Sequence, residues 1–217
     1  MEDRSEAALT LLAILCGIAP LGTFLLGTSG LIIPTNSIVL TLPLSLLVFL
    51  GIVYYGHTHQ MGGFLRRLMV GLMAGVLGTV AMDILVSLGS AVAGYRAPDL
   101  PSILGVLLLG TQAPELSIWL VGRLYHYSNG AALGMIYALL FVRVRWFLGL
   151  GYGLALWALL MLTPPMLVMG YALGGNGTIP AFALISLASH LAYGAVLGLS
   201  TQRYAWEGYP SGKAPPR

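Results

Sequence analysis

The sequence predicts an all-α integral membrane protein with six transmembrane helices. Three observations carry that prediction. The 217 residues are 58% hydrophobic and only 8% charged, with a mean hydropathy of +0.89. A soluble domain carries about 25% charged residues, and a third of that cannot keep a surface wet. Six stretches approach the ~20 apolar residues that a helix needs to cross a bilayer. A transmembrane β-barrel would instead show segments of roughly 10 residues with alternating polarity, and none is present.

The expected spans are 8–28, 37–56, 67–94, 114–142, 146–172 and 179–201. Turn chemistry separates them: Ser29-Gly30 and Pro34-Thr35-Asn36, the stretch from His57 to Arg67, Arg143 and Arg145, and Gly174-Gly175-Asn176-Gly177. Residues 101–110, PSILGVLLLG, are apolar but too short to cross, which predicts a re-entrant or interfacial segment. Basic residues should collect in cytoplasmic loops. With both termini inside, the inner set is Arg4, Arg66, Arg67, Arg143, Arg145, Arg203, Lys213 and Arg217, eight of the ten basic residues. Arg96 falls outside and Arg123 falls within the fourth span. This asymmetry supports the span count independently of hydropathy. The membrane expected is a bacterial or archaeal cytoplasmic (inner) membrane, with N- and C-termini cytoplasmic.

Three units follow. Residues 1–64 form an N-terminal two-helix membrane segment. Residues 65–203 form a four-helix core, and residues 204–217 a polar, Pro-rich, disordered cytoplasmic tail. The opening MEDRSEAALT is too acidic for a signal-peptide n-region, so the first span is expected to be uncleaved. Cys16 is the single cysteine, which excludes an intramolecular disulfide or CxxC site. The net charge of +3 comes with no basic run suited to nucleic acid. No nucleophile elbow, phosphate loop or HExxH occurs, and nothing argues for an enzyme.

Two stretches match each other. HYSNGAALG (residues 126–134) and HLAYGAVLG (residues 190–198) both read His-x-x-x-Gly-Ala-x-Leu-Gly, in a chain with four histidines. Each motif follows a span with its own close glycine pair, Gly71/Gly75 or Gly149/Gly153. The last four spans therefore read as two parallel helical-hairpin repeats, related by an axis along the membrane normal. Gly-x-x-x-Gly lets helix backbones approach closely in lipid, so Gly71, Gly75, Gly130, Gly134, Gly149, Gly153, Gly194 and Gly198 are expected at helix crossings.

Helical periodicity then places the polar residues. Positions i, i+4, i+8 and i+11 share a face. His126, Gly130, Gly134 and Tyr137 form one row, His190, Gly194, Gly198 and Thr201 a second, and Gly71, Gly75, Thr79 and Asp83 a third. Asp83, His126 and His190 are thus expected to converge just outside a tight crossing of four helices, at an outward-facing vestibule. Arg123, one turn from His126, and Thr163, beside the helix-breaking Pro164-Pro165, complete the candidate ligand or proton site.

An intramembrane carboxylate costs about 2.5–3.5 kcal/mol on insertion scales and is a functional candidate by default. Asp83 is read either as a proton or cation site or as a structural partner of His126 or Arg123. The two histidines have three readings: ligands to a haem or pigment, members of a proton relay with Asp83, or interhelical hydrogen bonds. Two histidines do not make a structural zinc site. His57-Thr58-His59 reads as a solvated loop.

On the matching residues His126, Gly130, Gly134, His190, Gly194 and Gly198, the chain resembles a loose group of uncharacterised bacterial multi-pass inner-membrane proteins, with the YagU-type proteins associated with acid resistance as distant members. The resemblance spans about residues 66–203 and implies no mechanism. Two functions are expected from the sequence. The first is a non-enzymatic membrane protein that binds or conducts a small solute or protons at the Asp83, His126 and His190 vestibule. The second is an accessory subunit of a larger respiratory or photosynthetic membrane complex, its histidines structural or holding a haem or pigment. The partners are the lipid bilayer and, in the second case, other membrane subunits.

Overall fold

A computed structural model describes residues 2–28, 34–94, 97–141, 144–163 and 179–205. Among these residues the chain is helical and contains no strand. The helices are α1 (Glu2–Thr28), α2 (Pro34–Thr58), α3 (Gly62–Ala93), α4 (Leu100–Leu109), α5 (Glu115–Leu140), α6 (Phe147–Met161) and α7 (Ile179–Tyr204). Within them, four stretches are long and apolar enough to cross a membrane: Ser5–Leu26, Leu40–Thr58, Gly62–Ala93 and Ala181–Tyr204.

Packing places α3 at the centre, against α5 on one side and α7 on the other. Helix α6 rests on α7, α4 on α5, and the α1–α2 hairpin closes against α5 and α3. The surface chemistry is inside out. On α3 the buried positions include Gly71, Ala74, Gly75, Gly78 and Thr79, whereas Met69, Met73, Leu77, Ile84 and Leu88 are exposed. Small residues inward and large apolar residues outward is how helices associate in lipid. An exterior of this kind in water would be an aggregation surface.

Helix α5 has the length of a span but carries Arg123, His126, Tyr127, Ser128 and Asn129. Arg123, His126 and Tyr127 turn toward Asp83 of α3, whereas Ser128 is exposed and bonds to the Tyr125 carbonyl of its own helix. Helix α6 is shorter than the expected 146–172 span, ending at Met161. Thr163 follows as a bend, and Pro164-Pro165 lies outside the described residues, as do Ser29-Gly30, Arg96, Arg143, the 174–177 glycine loop and the tail beyond residue 205. The short apolar segment at 101–110 is helix α4, offset by one residue. His57 and Thr58 close α2 rather than forming a loop, and His59 stacks on Tyr55 at 3.8 Å.

The ends of the helices sort to two faces. Arg67 pairs with Glu6, Arg66 Nε donates to the Tyr204 carbonyl at 2.7 Å, and the Trp146 amide donates to Gln202 Oε1 at 2.8 Å. The starts of α1, α3 and α6 and the end of α7 therefore share one face.

Candidate functional site

Glycine builds the site by bringing backbones together. A Cβ on Gly75 would overlap the Gly130 carbonyl oxygen, and one on Gly134 would overlap that of Gly71. The α3–α5 crossing is thus backbone against backbone. One turn beyond it, Thr79 donates to the Gly75 carbonyl at 2.9 Å, and Tyr193 of α7 donates to the Gly130 carbonyl at 2.6 Å. The next step along both rows brings Asp83 to His126.

Four side chains converge there. Asp83 accepts from His126 Nε2 at 3.3 Å, from the Tyr127 hydroxyl at 2.9 Å and from Arg123 at 3.4 Å. The other terminal nitrogen of Arg123 reaches Asp99 at 3.3 Å. Asp99 also accepts from Ser102 at 2.6 Å, across the first turn of α4. The Arg123 guanidinium lies 5.6 Å from the Trp119 ring centre, a cation–π distance. The Asp83, Arg123 and His126 side chains are 28%, 32% and 20% exposed, so the cluster is half-buried.

His190 takes a different place. It is 8% exposed, and its Nδ1–H donates to the Ser186 carbonyl of its own helix at 2.8 Å. It does not bond to Asp83. It lines the same cavity of about 300 Å³ as Asp83, Asp99, Arg123 and His126. A second cavity of about 220 Å³ is lined by both histidines, Thr163 and many apolar side chains. The Thr163 hydroxyl donates to the Leu160 carbonyl at 2.7 Å, so Thr163 faces the apolar cavity and not the Asp83 cluster.

The four helices expected to cross at one point instead cross in two pairs. Helices α6 and α7 meet through Gly149, Gly153, Gly194 and Gly198, but one turn out of step with α3 and α5. A Cβ on Gly75 meets the Gly130 carbonyl, whereas one on Gly153 meets that of His190. In the row that continues Gly149 and Gly153, Trp157 and Met161 stand where the first hairpin has Thr79 and Asp83. His190 therefore has no carboxylate opposite it and turns to its own backbone.

Three features were not anticipated from the sequence. Tyr127 sits next to His126 in the chain, and that adjacency was its only signal. Asp99 lies between Pro98 and the start of α4, with Ser102 three residues on, which is a helix-start pattern. A further glycine contact joins α4 to α5: a Cβ on Gly122 would overlap the Pro101 carbonyl, and one on Gly105 would overlap that of Ile118. Among the described residues no group of three or more His, Cys, Asp or Glu side chains is placed to hold a metal ion.

Comparison with known proteins adds one match. The model of a family of unknown function, DUF6789, covers residues 65–209. No curated protein matches the chain, and no solved structure does.

Proposed function

The chain belongs to the DUF6789 family of unknown function, and we propose that it binds or passes protons or a small cationic solute at the Asp83 cluster. The observation that carries this reading is the charge balance of the cavity. Among the described residues, Asp83 and Asp99 bring two negative charges to this cavity against one positive charge, that of Arg123. With His126 neutral the cluster carries one net negative charge, and one proton on His126, or one bound cation, neutralises it. Half-burial makes that balance matter more than it would in open water. Tyr127 holds the carboxylate in place, and His190 stands across the cavity without a partner carboxylate.

The topology that goes with this reading keeps the six spans expected from the sequence, which hold α1, α2, α3, α5, α6 and α7 in turn. Both termini are cytoplasmic, in a bacterial or archaeal inner membrane. The face that gathers Glu6, Arg66, Arg67 and Tyr204 supports this orientation, because basic residues mark the inner side. Asp83 then lies 16 residues, or about 24 Å at 1.5 Å per residue, above Arg67 and near the outer boundary. The paired glycine rows support an origin of α3–α5 and α6–α7 as two parallel hairpin repeats, the second having lost its carboxylate. The same motif supports placing the chain with the YagU-type inner-membrane proteins.

The test is proton flux in liposomes. Purified protein is reconstituted with a pH-sensitive dye inside, and a potassium diffusion potential is imposed. Flux is expected from the wild type and should fall at least tenfold in Asp83→Asn. If the wild type passes no protons, sodium or potassium should raise its unfolding temperature saturably, as ligand linkage requires. Absence of both responses overturns the proposal.

A further inference from the structure

We infer that the second, apolar cavity is a separate binding site for a neutral apolar molecule whose head is a hydroxyl group. This goes beyond the proton or cation reading and does not depend on it. The cavity, of about 220 Å³, lies among α1, α4, α5 and α6, with α3 and α7 at its floor. Phe24, Leu104, Leu133 and Leu156 are typical of its walls. An engineered cavity of about 150 Å³ with such walls stays dry and takes up benzene. Two lining leucines, Leu107 and Leu159, are 38% and 56% exposed, which gives the cavity an edge on the apolar exterior.

The polar groups of this cavity set the chemistry of the head. Thr79 donates to the Gly75 carbonyl, Tyr125 to the Pro20 carbonyl at 3.0 Å, Tyr193 to the Gly130 carbonyl and Thr163 to the Leu160 carbonyl. Each hydroxyl has thus committed its hydrogen to a backbone oxygen. His190 has done the same. A carbonyl can only accept, so Nδ1 carries the hydrogen in that bond and a neutral ring leaves a bare lone pair on Nε2. No partner for Nε2 occurs among the described residues. His126, whose Nε2–H points at Asp83, likewise keeps a lone pair on Nδ1 when neutral.

Acceptors therefore lead among these groups, and the amide of Asn129, which also lines the cavity, is the donor beside them. A quinone or ketone head could accept from the Asn129 amide but would set acceptor against acceptor at His190 Nε2. An ammonium head would supply donors but bury a charge against apolar walls with no counter-ion in this cavity, which is costly. A phenol or alcohol meets both conditions, with its ring or chain against the leucines and its O–H on His190 Nε2.

The experiment compares 2-naphthol with 2-methoxynaphthalene, which has the same ring system but no donor. Binding to the full chain in lipid nanodiscs is measured by equilibrium dialysis and by the shift in unfolding temperature. The naphthol should bind saturably and about tenfold more tightly than the ether, the difference of one hydrogen bond. His190→Leu should still bind the ether, which shows that the variant is folded, and should lose the preference for naphthol. The inference is overturned if naphthol shows no saturable binding, if the two compounds bind the wild type alike, or if His190→Leu keeps the preference.

Discussion

Replacing Gly71 by alanine should separate α3 from α5, and the structure gives the size of the effect. The added methyl carbon would stand 2.7 Å from the Gly134 carbonyl oxygen, the Met135 Cα and the Ala138 Cβ. Ordinary contact between such atoms begins near ~3.5 Å, so the shortfall is about 0.8 Å. Two of the three atoms are backbone and cannot rotate away. Overpacking of this kind costs about 1–3 kcal/mol. Alanine also brings a gain of up to ~1 kcal/mol, because glycine is a poor helix former. Gly51→Ala on α2 isolates the gain, since Gly51 is exposed and a methyl there would meet no atom within 4 Å. Gly71→Ala should therefore be less stable than Gly51→Ala by about 1–3 kcal/mol, the overpacking cost alone. Reversible unfolding in mixed detergent micelles, followed by tryptophan fluorescence, measures both variants. If Gly71→Ala proves as stable as Gly51→Ala, the close backbone crossing is wrong.

Other outcomes are expected from the same contacts. Tyr193→Phe removes the 2.6 Å bond to the Gly130 carbonyl and should lower stability by about 1 kcal/mol in the same unfolding assay. In a Cys16→Ser background, an impermeant maleimide added from outside intact cells should label Gln112→Cys, between α4 and α5, but spare Gln60→Cys, between α2 and α3; the reverse pattern would invert the topology. Protein purified gently from its membrane should show no Soret band, because His126 Nε2 faces the Asp83 carboxylate and so His190 Nε2 has no second axial histidine to share a ring with. A Soret band that disappears in His126→Ala or His190→Ala would overturn this and favour the haem-bearing subunit.

The amino-acid sequence by itself determined the class and the faces. Scarce charge and long apolar runs leave lipid as the only solvent for α1, α2, α3 and α7. The period of 3.6 places Gly71, Gly75, Thr79 and Asp83 on one stripe, and His126, Gly130 and Gly134 on another, before any neighbour is known. Both stripes lie at the interfaces where periodicity puts them. Periodicity cannot say which stripes meet or in what register. That depends on two surfaces at once, and the structure pairs α3 with α5 and slips α6 against α7 by one turn. The slip, together with Met161 in place of a second aspartate, separates the roles of two histidines that look identical in the sequence. Arg123 and Asp99 are 24 residues apart, and only the fold of α4 against α5, through Gly105 and Gly122, brings them to one cavity. A side chain's own helix fixes its direction, whereas the company it keeps is set by helices that the local sequence does not encode.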